Sequence, residues 1–163
     1  MKRIVSFAAV ALLTATAFAK GYVNANDLEK GTLEGKTALD DGFSILASAE
    51  KPVLIDAPGD PLPKNDDGEI FNMRINLKGK GSSKLRCVSF SAKAGETIMV
   101  DCATSSKTDT RTLVVVDEDG NTVLSIPSAP EKVTRGKAKA PKSGTYYAYS
   151  SGSGMYIYQI DVK

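Results

Sequence analysis

From Phe43 to the C-terminus the apolar residues recur at every second position in short runs closed by Gly, Pro, Asp, Asn or Ser. A period of two puts alternate side chains on opposite faces of an extended chain, so the building unit is a half-buried β-strand. Phe43, Ile45 and Ala47 form one such run and Val53 and Ile55 the next. Phe71, Met73, Ile75 and Leu77 form a third, with Asn72, Arg74, Asn76 and Lys78 on its other side. Val88 and Phe90, then Lys93-Ala94-Gly95, then Ile98 and Val100 predict a hairpin, with glycine where a short loop needs a left-handed residue. Leu113 to Val116 and Val123 to Ile126 predict a second hairpin about the turn 117–121. Three more strands follow, over 132–139, 145–150 and 155–162, and no amphipathic helix of useful length is present. A count of about eight strands predicts an all-β domain, a two-sheet antiparallel β-sandwich of the jelly-roll type. Residues 56–69, rich in proline, glycine and acids, predict a surface Ω-loop.

The N-terminus does not fit the alternation. Lys2 and Arg3 precede an uncharged run from Ile4 to Phe18, closed by Ala17-Phe18-Ala19, which reads as a signal peptide over 1–19 ahead of a single domain over 20–163. The run is too short for an ordinary membrane span and no later stretch reaches the required length, so the expected product is exported to a periplasm, a cell surface or the medium and does not span a membrane. The net charge of +2 belongs to that leader, and the remainder is neutral. Charge-driven nucleic-acid binding is therefore not expected.

With His 0, serine–histidine and cysteine–histidine catalysis are excluded, as are histidine zinc sites. No carboxylate pair can be placed together, so no catalytic residue is assigned and an enzyme is not expected. Cys87 and Cys102 are the only cysteines. A bond between them, closing about fifteen residues, would contribute ~3 kcal/mol, and export favours it. One hairpin register brings the two face to face. The other pairs Val88 with Val100 and Phe90 with Ile98 and separates them. Asp117-Glu118-Asp119-Gly120-Asn121 opens like a calcium loop, but its twelfth position is Ser128, so an Asp-Gly turn is the expectation. No cofactor is expected beyond a structural calcium that Asp56, Asp60, Asp66, Asp67 and Glu69 could hold.

Charge is divided along the neutral chain: residues 20–69 carry five bases and eleven acids, the remainder fourteen bases and eight acids. Arg135, Lys137 and Lys139 alternate on one strand face and read as a guarded sheet edge. Lys78, Lys80 and Lys84, among glycines and serines, read either as a solvated turn or as a site for a carboxylated chain. Five of six tyrosines lie in the last two strands, and adjacent Tyr146 and Tyr147 must face opposite ways, so at least one ring is outside the core and free to stack on a sugar.

Several motifs together carry a resemblance. These are Asn26-Asp27-Leu28 with Gly31-Thr32, Gly42-Phe43-Ser44-Ile45, Lys51-Pro52-Val53 with Ile55-Asp56, Phe71 with Arg74 to Gly79 and Gly81-Ser82, and Arg86 with Ser89-Phe90. Ser105-Ser106 with Asp109 and Arg111-Thr112-Leu113, and Gly144 to Tyr147 with Tyr149 to Gly154 and Ile157-Tyr158, complete the set. The chain resembles small β-sandwich modules of bacterial pectate lyases and related secreted polysaccharide-degrading enzymes, including pectin-binding carbohydrate-binding modules. The resemblance implies a non-catalytic sandwich that meets galacturonate carboxylates with lysines rather than a tryptophan platform, consistent with Trp 0. It places Arg74, Lys78, Arg86 and Arg111 at matching positions and gathers the loops at 105–106 and 150–154 at one end. The expected ligand is an acidic plant cell-wall polysaccharide (pectin or homogalacturonan), bound through Arg74, Lys78, Lys80, Lys84, Arg86 and Arg111 with Tyr149 stacking. A polysaccharide-degrading enzyme or an envelope protein is the expected macromolecular partner. The alternative is a structural or protein-interaction module of the bacterial envelope or cell surface.

Overall fold

The computed structural model describes residues 21–163; the leader assigned to 1–19 lies outside the described residues. Its strands are β1 (Tyr22–Asn24), β2 (Gly31–Leu33), β3 (Thr37–Ala38), β4 (Ser44–Leu46), β5 (Val53–Asp56), β6 (Arg74–Asn76), β7 (Cys87–Ala92), β8 (Thr97–Thr104), β9 (Arg111–Asp117), β10 (Thr122–Ser128), β11 (Thr134–Lys139), β12 (Gly144–Ser150) and β13 (Met155–Val162). They form two antiparallel sheets. One has seven strands in the order β11-β8-β13-β6-β5-β2, with β1 added against β13, and the other six in the order β10-β9-β12-β7-β4-β3. The chain is therefore the all-β sandwich its alternation predicts. Among the described residues no helix is long and apolar enough to cross a membrane.

The core lies between the inward faces. Ile98, Val100 and Cys102 of β8 and Ile157, Ile160 and Val162 of β13 meet Val88 and Phe90 of β7, Leu113 and Val115 of β9 and Tyr146 and Ala148 of β12. Phe90 stacks on Phe43 at 5.4 Å and on Tyr146 at 6.1 Å between ring centroids. The β9–β10 hairpin forms as expected. Its Asp117 carboxylate accepts from the backbone N–H of Asn121 at 2.8 Å and of Asp119 at 3.0 Å, which accounts for the acidic turn without a metal. The amide of Asn121, followed by the backbone donors and Lys142, holds that carboxyl below the usual range.

Two expectations change. The segment 87–104 is not a hairpin, because β7 belongs to the six-stranded sheet and β8 to the seven-stranded one, and the turn between them crosses the sandwich. Neither proposed register exists. Cys102 faces the core, whereas Cys87, one residue before inward-facing Val88, lies on the outer face of the other sheet. Both are free, buried thiols. Burial pushes Cys87 up to about 12 and raises Cys102 as well. Native protein at neutral pH should therefore resist thiol reagents, while denatured protein takes up two labels without reduction; rapid native labelling, or none after denaturation, contradicts this placement.

The second change concerns residues 57–73, which the sequence splits between an exposed loop and the start of a long strand. Regular pairing begins only at Arg74, and Phe71 turns to the outer face of the seven-stranded sheet, where it stacks on Tyr158 at 4.8 Å beside Ala103 and Val133. Tyr158, next to inward-facing Ile157, points outward to receive it, and a register shift in β13 between Ile157 and Gln159 returns Ile160 and Val162 to the core.

Candidate ligand-binding face and basic end

A sandwich has two outward faces. On the seven-stranded sheet residues 57–73 cover the part around Asp101, Ala103 and Tyr158 with polar as well as apolar contacts, and leave a depression lined by Thr97, Met99, Lys137, Asp161 and Lys163. Buried Asn65 donates to Asp101 Oδ2 at 3.0 Å, and its own Oδ1 accepts from the Glu69 N–H at 2.9 Å. Arg135, opposite Asp101 across the β8–β11 ladder, grips that carboxylate with Nε and Nη2, each at 2.7 Å, and also reaches Asp67. Arg74 bonds Asp56 at 2.5 Å and lies 3.9 Å over the Tyr156 ring. The acids proposed for calcium are thus divided, with Asp56 on Arg74, Asp67 on Arg135 and Glu69 on Asn24 and Asn65.

The outer face of the six-stranded sheet is different. Cross-strand register sets Leu46, Cys87, Tyr149, Val114 and Ser125 in one row and Ser44, Ser89, Tyr147 and Val116 in the next. No acid or base interrupts these rows. Tyr147 and Tyr149 are half-buried, two residues apart on one strand, about 7 Å by strand rise. Two aromatic rings among hydroxyls on a flat, uncharged surface suit the apolar face and hydroxyl rim of a sugar.

At one end of that face the chain passes repeatedly between the sheets, through residues 34–36, 47–52, 77–86, 105–110, 129–133 and 151–154. With Arg111 at the start of β9, this end gathers the bases Lys36, Lys51, Lys78, Lys80, Lys84, Arg86, Lys107, Arg111 and Lys132 against the acids Glu34, Glu50, Asp109 and Glu131. The sequence-level division of charge becomes an excess of positive charge at one pole. At the opposite pole Lys142 sits against Asp117, Glu118 and Asp119.

The loops at the basic end are fixed to one another. Ser105 Oγ donates to Gly154 O at 2.8 Å, and Arg111 Nη1 donates to both, at 2.8 Å to Ser105 Oγ and 3.0 Å to Gly154 O. The 77–86 loop is tied beside β12 by the Gly81 N–H to Ser150 O bond at 2.9 Å. A Cβ at Gly81 would stand 2.8 Å from Tyr149 Cβ, so glycine is what lets this loop lie against the tyrosine. Lys51, Lys80, Gly81, Ser82 and Leu85 line a shallow depression there. Lys78, Lys80 and Lys84 are exposed and, among the described residues, none meets a carboxylate.

Of the residues singled out in the sequence, Lys78, Lys80, Lys84, Arg86, Arg111 and Tyr149 come together at this end, and the serine-rich loops at 105–106 and 150–154 meet there as expected. Arg74 does not join them, because β6 aims it at the outer face of the other sheet, against Asp56 and Tyr156. Arg111 is present but engaged in joining two loops. The sequence left open which of Tyr146 and Tyr147 faces outward; Tyr146 is in the core and Tyr147 shares the outer face with Tyr149. Sequence reasoning expected Arg135 to guard an edge with Lys137 and Lys139. Strand β11 is that edge, with both lysines exposed, but Arg135 is committed to Asp101.

No protein-family profile and no curated protein matches this sequence. Among solved structures, the CBM22-1 xylan-binding domain of Paenibacillus barcinonensis Xyn10C aligns with a TM-score of 0.50 at 12% identity, over 89% of this chain and 96% of that one. CsCBM6-3 of Clostridium stercorarium, in complex with cellobiose, aligns with a TM-score of 0.46 at 10% identity, over 88% and 93%. A family 6 carbohydrate-binding module of Clostridium cellulolyticum, in complex with xylose, gives 0.44 at 8% identity, over 88% and 97%. These three are carbohydrate-binding modules or domains, and the xylan-binding domain shares this chain's fold.

Proposed function

We propose that this protein is an exported, non-catalytic polysaccharide-binding protein whose ligand is a uronate polymer such as homogalacturonan. The observation that carries the reading is the junction of the tyrosine face with the basic end, where Lys78, Lys80 and Lys84, which meet no carboxylate among the described residues, stand on a loop held against Tyr149. Tyr147 and Tyr149 offer stacking surface, and the lysines offer a positive field at the point where a chain crossing the rings would leave the sheet. The xylan-binding domain that shares this fold supports a sugar as the ligand class. The lysines support its being acidic. The rows of the tyrosine face carry no carboxylate, so they do not offer the paired acids of a hydrolase. Any degradation of the bound polymer falls to a partner enzyme.

The charges set the expected behaviour. An exposed ion pair contributes ~0.2–1 kcal/mol, so three together account for about tenfold in affinity. The gain fades as the screening length falls from about 10 Å at 0.1 M salt to about 3 Å at 1 M. The triple variant K78Q/K80Q/K84Q should bind polygalacturonate about tenfold more weakly at low salt and lose most of the wild-type salt dependence. Tyr149→Ala should lower affinity about two- to tenfold at every salt concentration, by the ~0.5–1.5 kcal/mol of an aromatic contact. Isothermal titration measures both. Unchanged polygalacturonate affinity in the lysine variant contradicts the reading.

A further inference from the structure

Arg86 is unlike every other arginine in the described chain. Arg74, Arg111 and Arg135 each bond a carboxylate or bridge two loops, but the Arg86 side chain makes no hydrogen bond and no ion pair among the described residues. Its Nε is buried without a partner, the only side-chain polar atom among them in that condition. The terminal nitrogens are not buried in this way, so they reach the surface with their donors free. Native proteins seldom leave such a group unanswered, and where they do the vacancy asks for a reason.

The guanidinium lies close against its own loop. Arg86 itself has φ +50° and Lys78, at the other end of the same loop, φ +61°, the left-handed region that non-glycine residues avoid. Gly79 supplies the floor, since a Cβ there would stand 2.7 Å from Arg86 Nη1. The guanidinium thus packs against the glycine of its own loop, with terminal N–H groups that are unbonded and not buried. A planar fork of two donors matches the two oxygens of a carboxylate, and a lysine cannot reproduce that match.

We infer that Arg86 is the residue that reads the ligand's carboxylate, so that the protein discriminates the free uronate from its methyl ester by geometry, while Lys78, Lys80 and Lys84 supply only the surrounding field. This rests on the acidic-polysaccharide reading and divides the labour within that site. Methylation removes the charge and one of the two equivalent acceptors, leaving the guanidinium without its partner.

The test compares polygalacturonate with its fully methyl-esterified form in about 1 M salt, where screening over roughly 3 Å silences the lysines. Wild type should still prefer the acid about tenfold, as expected for a hydrogen bond to a charged group. Arg86→Lys preserves the charge and should abolish that preference while leaving the salt dependence at lower ionic strength intact. Gly79→Ala, which displaces Nη1 without touching the arginine, should do the same and guards against misfolding of the first variant. The inference is overturned if Arg86→Lys and Gly79→Ala keep the preference, or if wild type has none in high salt although K78Q/K80Q/K84Q weakens binding at low salt; in both cases acidic-polysaccharide binding itself stands. Failure of wild type to bind polygalacturonate at any salt overturns both readings.

Discussion

Asp101→Ala is expected to lower the unfolding free energy by about 3–5 kcal/mol, the range for removing one partner of a buried ion pair. Asp101 is 0% exposed and lies on β8 with strands on both sides. Its loss leaves Arg135 facing only exposed Asp67 and takes from Asn65 the carboxylate to which its amide donates. Two elements lose their tie at once, the edge strand β11 and residues 57–73. Urea unfolding measures the change, and a loss below about 1 kcal/mol contradicts a structural role for the pair. Replacing both charges, Asp101→Leu with Arg135→Met, should recover much of the loss, because the uncompensated charge then disappears. The same junction gives a pH dependence. Arg135 holds the Asp67 carboxyl below its ordinary value, so the contact contributes fully above the ordinary carboxylate range and is lost as pH falls through the depressed native value. Acid should therefore loosen residues 57–73, read as faster amide exchange there than in β12.

Phe90→Ala should cost about 3–5 kcal/mol by a different route, the cavity left when a large buried ring is removed. Phe90 is 2% exposed between Phe43 and Tyr146. These rings come from three separated parts of the chain, and the Tyr146 hydroxyl donates to the Lys142 carbonyl, so the site has little freedom to collapse. Phe90→Leu should recover about half of the loss. A thermal shift within error of wild type contradicts the packing.

Local alternation made the strands from β4 onward largely legible, because each buries one face and a one-residue slip would expose it. It could not say which sheet a strand joins. The Lys93-Ala94-Gly95 turn looks the same whether it closes a hairpin or crosses a sandwich, and the difference lies in partners far along the chain, β12 for β7 and β13 for β8. That ambiguity made the cysteine pair look feasible. The short strands β1, β2 and β3 were passed over because two or three residues carry no readable period. At the site, the basic 77–86 loop and Tyr149 were visible as composition. Arg74 was misassigned because residue type and spacing do not reveal that Asp56 and Tyr156 wait beside it, and Arg86 looked like any other base until its lack of partners was seen.

The most direct test of the central claim is affinity electrophoresis of the protein through gels containing homogalacturonan, methyl-esterified pectin, xylan, cellulose derivative or alginate, at low and moderate salt. The account predicts retardation by the uronate polymers, strongest for free homogalacturonan and fading as salt rises. Salt-insensitive retardation by a neutral glucan, or free migration through every gel, contradicts it.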